Sequence, residues 1–148
     1  MTELEQRIVV EGPFDRALAA VVHAVRDEGL EVLATLDVRE HFRRTLGLEF
    51  RQYARLEVWS ADLAFLALKR DLLAGTVMPT TLAVYELASG ETAVVAHQAS
   101  LSTAAEAGCP CEEDSLRPIA AQERDRITRV LARLRHLPRR PRILPRAA

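Results

Sequence analysis

Between residues 53 and 98 the apolar pattern changes period repeatedly, and that succession constrains the fold more than any other feature. Tyr53, Arg55, Glu57 and Trp59 alternate with Ala54, Leu56 and Val58, the period of two that a half-buried strand requires. Ser60 stands where an N-cap belongs, and residues 61–74 read as a helix that Gly75 stops. Pro79 opens two further strand-like runs, 80–87 and 92–98, joined by Ala88-Ser89-Gly90-Glu91, a short hairpin loop.

The N-terminal half uses the same signals. Residues 7–10 are a short apolar run ending at Glu11-Gly12-Pro13, with the proline placed for a first helical turn. Phe14, Ala17, Leu18, Val21, Val22 and Val25 then form one helical stripe, which Gly29 terminates; His23 lies off it, at the surface. Residues 30–37 read as a strand with Leu30, Val32, Ala34 and Leu36 on one face. Asp37 and Glu40 have capping-box spacing and begin a short helix that Gly47 closes.

One helix carries more apolar surface than a simple face. In 61–74, Leu63, Leu66, Ala67 and Ala74 make one stripe, and Ala61, Phe65, Leu68 and Leu72 make another nearly opposite. Such a helix needs two partners, the sheet and either another helix or another subunit. A last helix is expected over 118–137, with Ile119, Ile127, Val130, Leu131, Leu134 and Leu137 on one arc and Arg124, Arg126, Arg129, Arg133 and Arg135 outside it. Phe65, Leu68 and Leu72 together with Ile127, Val130 and Leu134 are the expected anchors for helix docking or dimer contact, and truncation at Gly108 is expected to uncover Phe65 and Leu72. The order predicts an α+β two-layer sandwich. Two right-handed strand-helix-strand units would build a mostly antiparallel sheet of about five strands, with two main helices on one face plus the C-terminal helix.

At 148 residues and 49% apolar content, one core is expected without disulfide or metal. The expected organisation is a core at 1–100, an acidic loop at 101–117, the Arg-rich helix at 118–137 and a disordered tail at 138–148. No apolar run reaches membrane-spanning length and the N-terminus lacks the order of a signal peptide, so a cytoplasmic location is expected. Asparagine is absent, which excludes N-glycosylation. The net charge of -1 conceals a segregation: residues 1–116 sum to -9 and residues 117–148 to +8. A basic end of this kind either contacts phosphate or neutralises the acidic body, within one chain or across a dimer.

The segment LGLEFRQYARLEVWSADLAFLAL followed by MPTTLAVYE resembles the domain-of-unknown-function 302 family, over about residues 5–100. The matching positions are Leu46-Gly47, Phe50-Arg51, Tyr53, Leu56, Ala64, Ala67-Leu68, Pro79 and Val84-Tyr85-Glu86, after the helix that starts at Phe14-Asp15. The resemblance implies a compact, dimeric α+β domain with no agreed biochemical activity. The chain departs from the family twice. Trp59-Ser60-Ala61 stands where Cys-Asn-Pro is common, and Pro79-Thr80-Thr81 where Pro-Cys-Asn is common, so thiol chemistry at those positions is absent.

The side chains offer three candidate chemistries. Arg51 and Tyr53, near a strand start, pair an anion-binding guanidinium with a phenol, and Glu57 and Glu86 are acid/base candidates if shielded. The plainer alternatives are Arg51 paired with Glu49 or Glu86, and both acids on exposed strand edges. Cys109-Pro110-Cys111 could chelate a soft metal or form a strained disulfide, yet Glu112, Glu113 and Asp114 would raise its thiol pKa, and the four His have no metal-ligand spacing. No nucleotide, hydrolase or zinc-protease motif is present, and no cofactor is expected. The Arg-rich end lacks aromatics for base stacking. The expected function is a non-enzymatic, homodimeric ligand-binding or interaction module, its small-molecule ligand unidentified. The alternatives are a redox or metal-responsive protein using Cys109 and Cys111, and weak nucleic-acid binding by the C-terminus.

Overall fold

The computed structural model describes residues 5–87, 90–97 and 113–137. The elements are β1 (Glu5–Glu11), α1 (Phe14–Asp27), β2 (Glu31–Asp37), α2 (Val38–Leu46), β3 (Tyr53–Trp59) and α3 (Ala61–Arg70). A 3₁₀ turn (Leu72–Thr76), β4 (Thr80–Glu86), β5 (Glu91–His97) and α4 (Glu113–Arg135) follow. Cys109, Cys111, the rest of the acidic loop before Glu113 and the tail after Leu137 lie outside the described residues.

Five strands form one sheet in the order β1-β5-β4-β3-β2, every neighbouring pair antiparallel. β1 and β2 therefore occupy opposite edges and run in the same sense, and α1 crosses the sheet between them. The second strand-helix-strand unit differs from expectation. β3 and β4 are antiparallel neighbours, so α3 returns the chain beside the strand it left and is no parallel crossover.

One side of the sheet is covered. Ile8, Val10, Leu56, Val58, Leu82, Val84, Val94 and Ala96 meet Ala17, Val21, Ala24 and Val25 of α1 and Ile127, Val130, Leu131 and Leu134 of α4 in one core. These are the alternate positions of each strand, which is why β3 reads Ala-x-Leu-x-Val. A second cluster joins Leu63, Ala64 and Ala67 of α3, Ala74 and Met78 to Leu116, Ile119 and Ala120 of α4. The α+β two-layer sandwich thus has α1 and α4 on one face of the sheet, with α3 against the start of α4.

Local chemistry sets the boundaries. α1 ends in a Schellman pattern: the Gly29 N–H donates to Arg26 O and the Leu30 N–H to Val25 O, both at 3.0 Å, with Gly29 at φ 74° and Leu30 buried behind it. Asp37 caps α2 through the Glu40 N–H at 2.9 Å. The Glu40 carboxylate turns to Arg43 instead of closing the capping box.

Three further expectations change. β2 does not keep Leu30, Val32, Ala34 and Leu36 on one face: its register shifts between Val32 and Ala34, and Leu36 emerges on the uncovered side, 48% exposed. The helix expected over 61–74 stops at Arg70, because the Asp71 carboxylate accepts the Leu73 N–H at 2.9 Å and starts the 3₁₀ turn. α4 begins at Glu113, ahead of Pro118, because Leu116, Ile119 and Ala120 bury against α3. Pro118, the sixth residue of the helix, lacks the N–H that would bond the carbonyl of residue 114, so one backbone bond is absent there.

Candidate functional site

The sheet face opposite α1 and α4 is the site with the most exposed functional chemistry. Strand registers arrange it in rows. Tyr53, Tyr85, Ala93 and Val9 are directly opposite one another across β3, β4, β5 and β1. The next row is Leu36, Arg55, Ala83, Val95 and Arg7, and beyond it lie Ala34, Glu57, Thr81 and His97. The aromatic row continues past the sheet: Tyr53 stacks on Tyr85 at 5.2 Å between ring centroids, Phe50 lies 6.5 Å from Tyr53, and Phe42 of α2 meets Phe50 edge-on at 5.3 Å. Phe50 remains 42% exposed and Val9 47%.

Beside that row sits a closed polar network. Arg55 Nε lies 2.8 Å from Glu57 Oε1, Arg55 Nη2 donates to Thr81 Oγ1 at 3.2 Å, and Thr81 Oγ1 donates to Glu57 Oε2 at 3.2 Å. Glu57 spends its oxygens on these two partners, so it is positioned as a structural or recognition group and not as a free base. The expected ligand residues separate. Tyr53 and Glu57 share the open face, whereas Glu86 is in register with the buried Thr92 on the covered side. Arg51 donates to the Glu86 carbonyl at 3.2 Å, not to a carboxylate, while Glu49 faces Arg39 at 3.7 Å. Arg55, Tyr85 and Thr81 complete the site: Arg55 shares the face by the parity of β3 itself, whereas only the β3–β4 register brings Tyr85 and Thr81 to Tyr53 and Glu57.

The helix anchors also divide. Ile127, Val130 and Leu134 are consumed in the core of their own chain, and Leu68 packs half-buried on the second cluster. Phe65 and Leu72 are 66% and 83% exposed with α4 in place, so α4 does not cover them and truncation at Gly108 would not newly expose them.

The charge segregation closes on itself. Arg126 of α4 grips Asp62 through two bonds of 2.9 Å and donates to the buried Ser60 Oγ at 2.8 Å. Arg129 and Arg133 both bind Glu28 at the end of α1. The Arg133 and Arg129 guanidiniums hold the Glu28 carboxyl below its ordinary range, and Arg126 does the same to Asp62.

A buried pair went unseen in the sequence. Thr80 Oγ1 donates to Glu123 Oε1 at 2.7 Å, both residues being buried. Glu123 Oε2 and Trp59 Nε1 have no hydrogen-bond partner among the described residues. Glu123 falls four residues after Ile119 and four before Ile127, squarely on the apolar stripe of α4. That spacing was the available signal. Both segments that depart from the family pattern therefore meet α4, Ser60 at Arg126 and Thr80 at Glu123.

Among the described residues, no group of three or more His, Cys, Asp or Glu could hold a metal ion, and no helix is long and apolar enough to cross a membrane. Among the described residues, fold and site define a small α+β sandwich whose second sheet face, aromatic and polar, has no helix over it. The chain belongs to the family described as Domain of unknown function DUF302, whose model matches residues 6–134 and so includes α4. It is similar to the crystal structure of an uncharacterized conserved DUF302 protein from Bacillus stearothermophilus, at 24% identity and a TM-score of 0.75, over 90% of this chain and 99% of that one. No curated protein matches.

Proposed function

We propose that the protein is a non-enzymatic homodimeric interaction module in which two copies meet through the open faces of their sheets. The observation that carries this reading is the sheet face that no described helix covers, with Val9 and Leu36 about half exposed beside Ala83, Val95 and the Tyr53–Tyr85 stack. Single exposed apolar residues need no explanation, but a contiguous patch does. Seven-residue strands at about 3.4 Å per residue, about 4.8 Å apart, make a face roughly 24 Å on a side. That is about 580 Å² in projection, which the flanking Phe42 and Phe50 extend toward the roughly 800 Å² per partner of a specific interface. Arg55 and Glu57 pair within the face, so a twofold contact there buries neither of these charges unpaired.

A second reading puts the contact on α3, where Phe65 and Leu72 are the more exposed residues. Charge-introducing variants separate the two. Leu36→Glu or Val9→Glu should convert the dimer to monomer, weakening association by about a hundredfold or more, since an unpaired charge would be buried. Phe65→Asp should leave the sedimenting mass unchanged. Monomer formation by Phe65→Asp, with the open-face variants still dimeric, would move the interface to α3 and overturn the proposal.

A further inference from the structure

On the covered side, away from the open face, α1 and the last turns of α4 run antiparallel and leave a groove between them. Its inner lobe, about 820 Å³, is bounded by Ala20, Ala24, Ala132, Leu134 and Leu137. A second lobe of about 730 Å³ continues past Leu134 and Leu137 toward Gly12 and Pro13. Arg16 lines both lobes, at their junction.

The charges around the groove are unequally committed. At the inner end, Asp27 and Glu28 are taken by Arg133 and Arg129, and His23 lies 3.5 Å from Asp27. At the outer end Glu11, Glu91 and Arg135 line the second lobe, and His136 lines the inner lobe with Leu137. Arg16 has no carboxylate partner among the described residues. The inner lobe thus offers an apolar floor beside an uncommitted guanidinium, with the carboxylates at its end neutralised, while the outer lobe is the more polar one.

We propose that this groove binds a free single-chain carboxylate amphiphile, its head on Arg16 and its alkyl chain along Ala20, Ala24 and Leu134. From Arg16 to Ala24 the helix rises about 12 Å, room for a medium-length chain. A guanidinium holds a carboxylate through paired hydrogen bonds, and the apolar walls remove the chain from water. The alkyl chain lies in the inner lobe, which neither Val9 nor Leu36 lines; Val9 borders only the outer lobe, so binding and dimerisation are tested separately with Leu36.

The test is calorimetric titration of the full chain with dodecanoate below its micellar concentration. Saturable one-to-one binding per chain is expected. Arg16→Ala should weaken it about tenfold to hundredfold, the range for losing a hydrogen bond to a charged group, and dodecanol should bind more weakly by a similar factor. Ala20→Phe should abolish binding by filling the floor, while Leu36→Glu should leave it intact. Absence of saturable binding would overturn the proposal, as would equal affinity in Arg16→Ala. Binding only after removal of residues 138–148 would make the chain's own tail the occupant and overturn it too. Adsorption to phosphatidylglycerol vesicles without dodecanoate binding would count equally against it.

Discussion

Replacing Thr80 with Val should cost more than the loss of one hydroxyl suggests, because of what it leaves behind. Thr80 and Glu123 are 3% and 5% exposed, and their 2.7 Å bond is the sole contact satisfying a Glu123 oxygen among the described residues. Valine keeps the shape and removes the donor, leaving a buried carboxylate without any partner. Leaving a buried polar oxygen without its partner costs about 1–3 kcal/mol. At about 2–4 °C per kcal/mol for a chain of this size, the melting temperature should fall by about 2–12 °C. Adding Glu123→Leu to Thr80→Val should restore stability to within about 1 kcal/mol of the parent, since replacing both partners by apolar groups removes the unsatisfied polar group and completes the α4 stripe. The assay is urea unfolding of the parent, both single variants and the double variant at one fixed protein concentration, with the slope checked for constancy. A neutral Thr80→Val, or additive single effects with no coupling, would refute the argument.

Acid should loosen α4 first. Glu28 and Asp62 titrate below their ordinary range, so their pairing stabilises fully above the unfolded values, near 4, and is lost as pH falls through the lower folded values. Urea midpoints should therefore hold from neutral pH down to about 5 and then decline, with a shallower decline in an Arg126→Ala, Arg133→Ala double variant; equal declines would contradict the pairing. Leu131→Ala, at a core position 1% exposed, should cost about 2–5 kcal/mol in the same assay. Gly29→Ala has open space for its methyl but a φ of 74°, so its cost should be about 1–2 kcal/mol of backbone strain alone; a neutral result would remove the argument.

Much of this architecture is legible wherever one element's own residues decide it. The alternation of Tyr53 to Trp59, the Asp37 cap and the Gly29 and Gly47 stops each depend on a few neighbouring positions. What escapes depends on pairing between elements. The β2 register shift arises where two residues oppose one on β3, and nothing within 30–37 encodes which face Leu36 takes. Likewise Tyr53 and Glu57 share a face by their own parity, but Tyr85 and Thr81 join them only through the β3–β4 register. The end of α3 turned on Asp71 folding back to Leu73, a local competition that helical periodicity does not show. Glu123 was visible in principle, as an acid at a core position.

Dimerisation through the open face is the central claim, and sedimentation equilibrium of the parent chain alongside Leu36→Glu tests it most directly. The account predicts twice the chain mass of 16.5 kDa for the parent and the single-chain mass for the folded variant. A parent that sediments at the single-chain mass across the whole concentration range, or a variant that keeps the doubled mass, would contradict it.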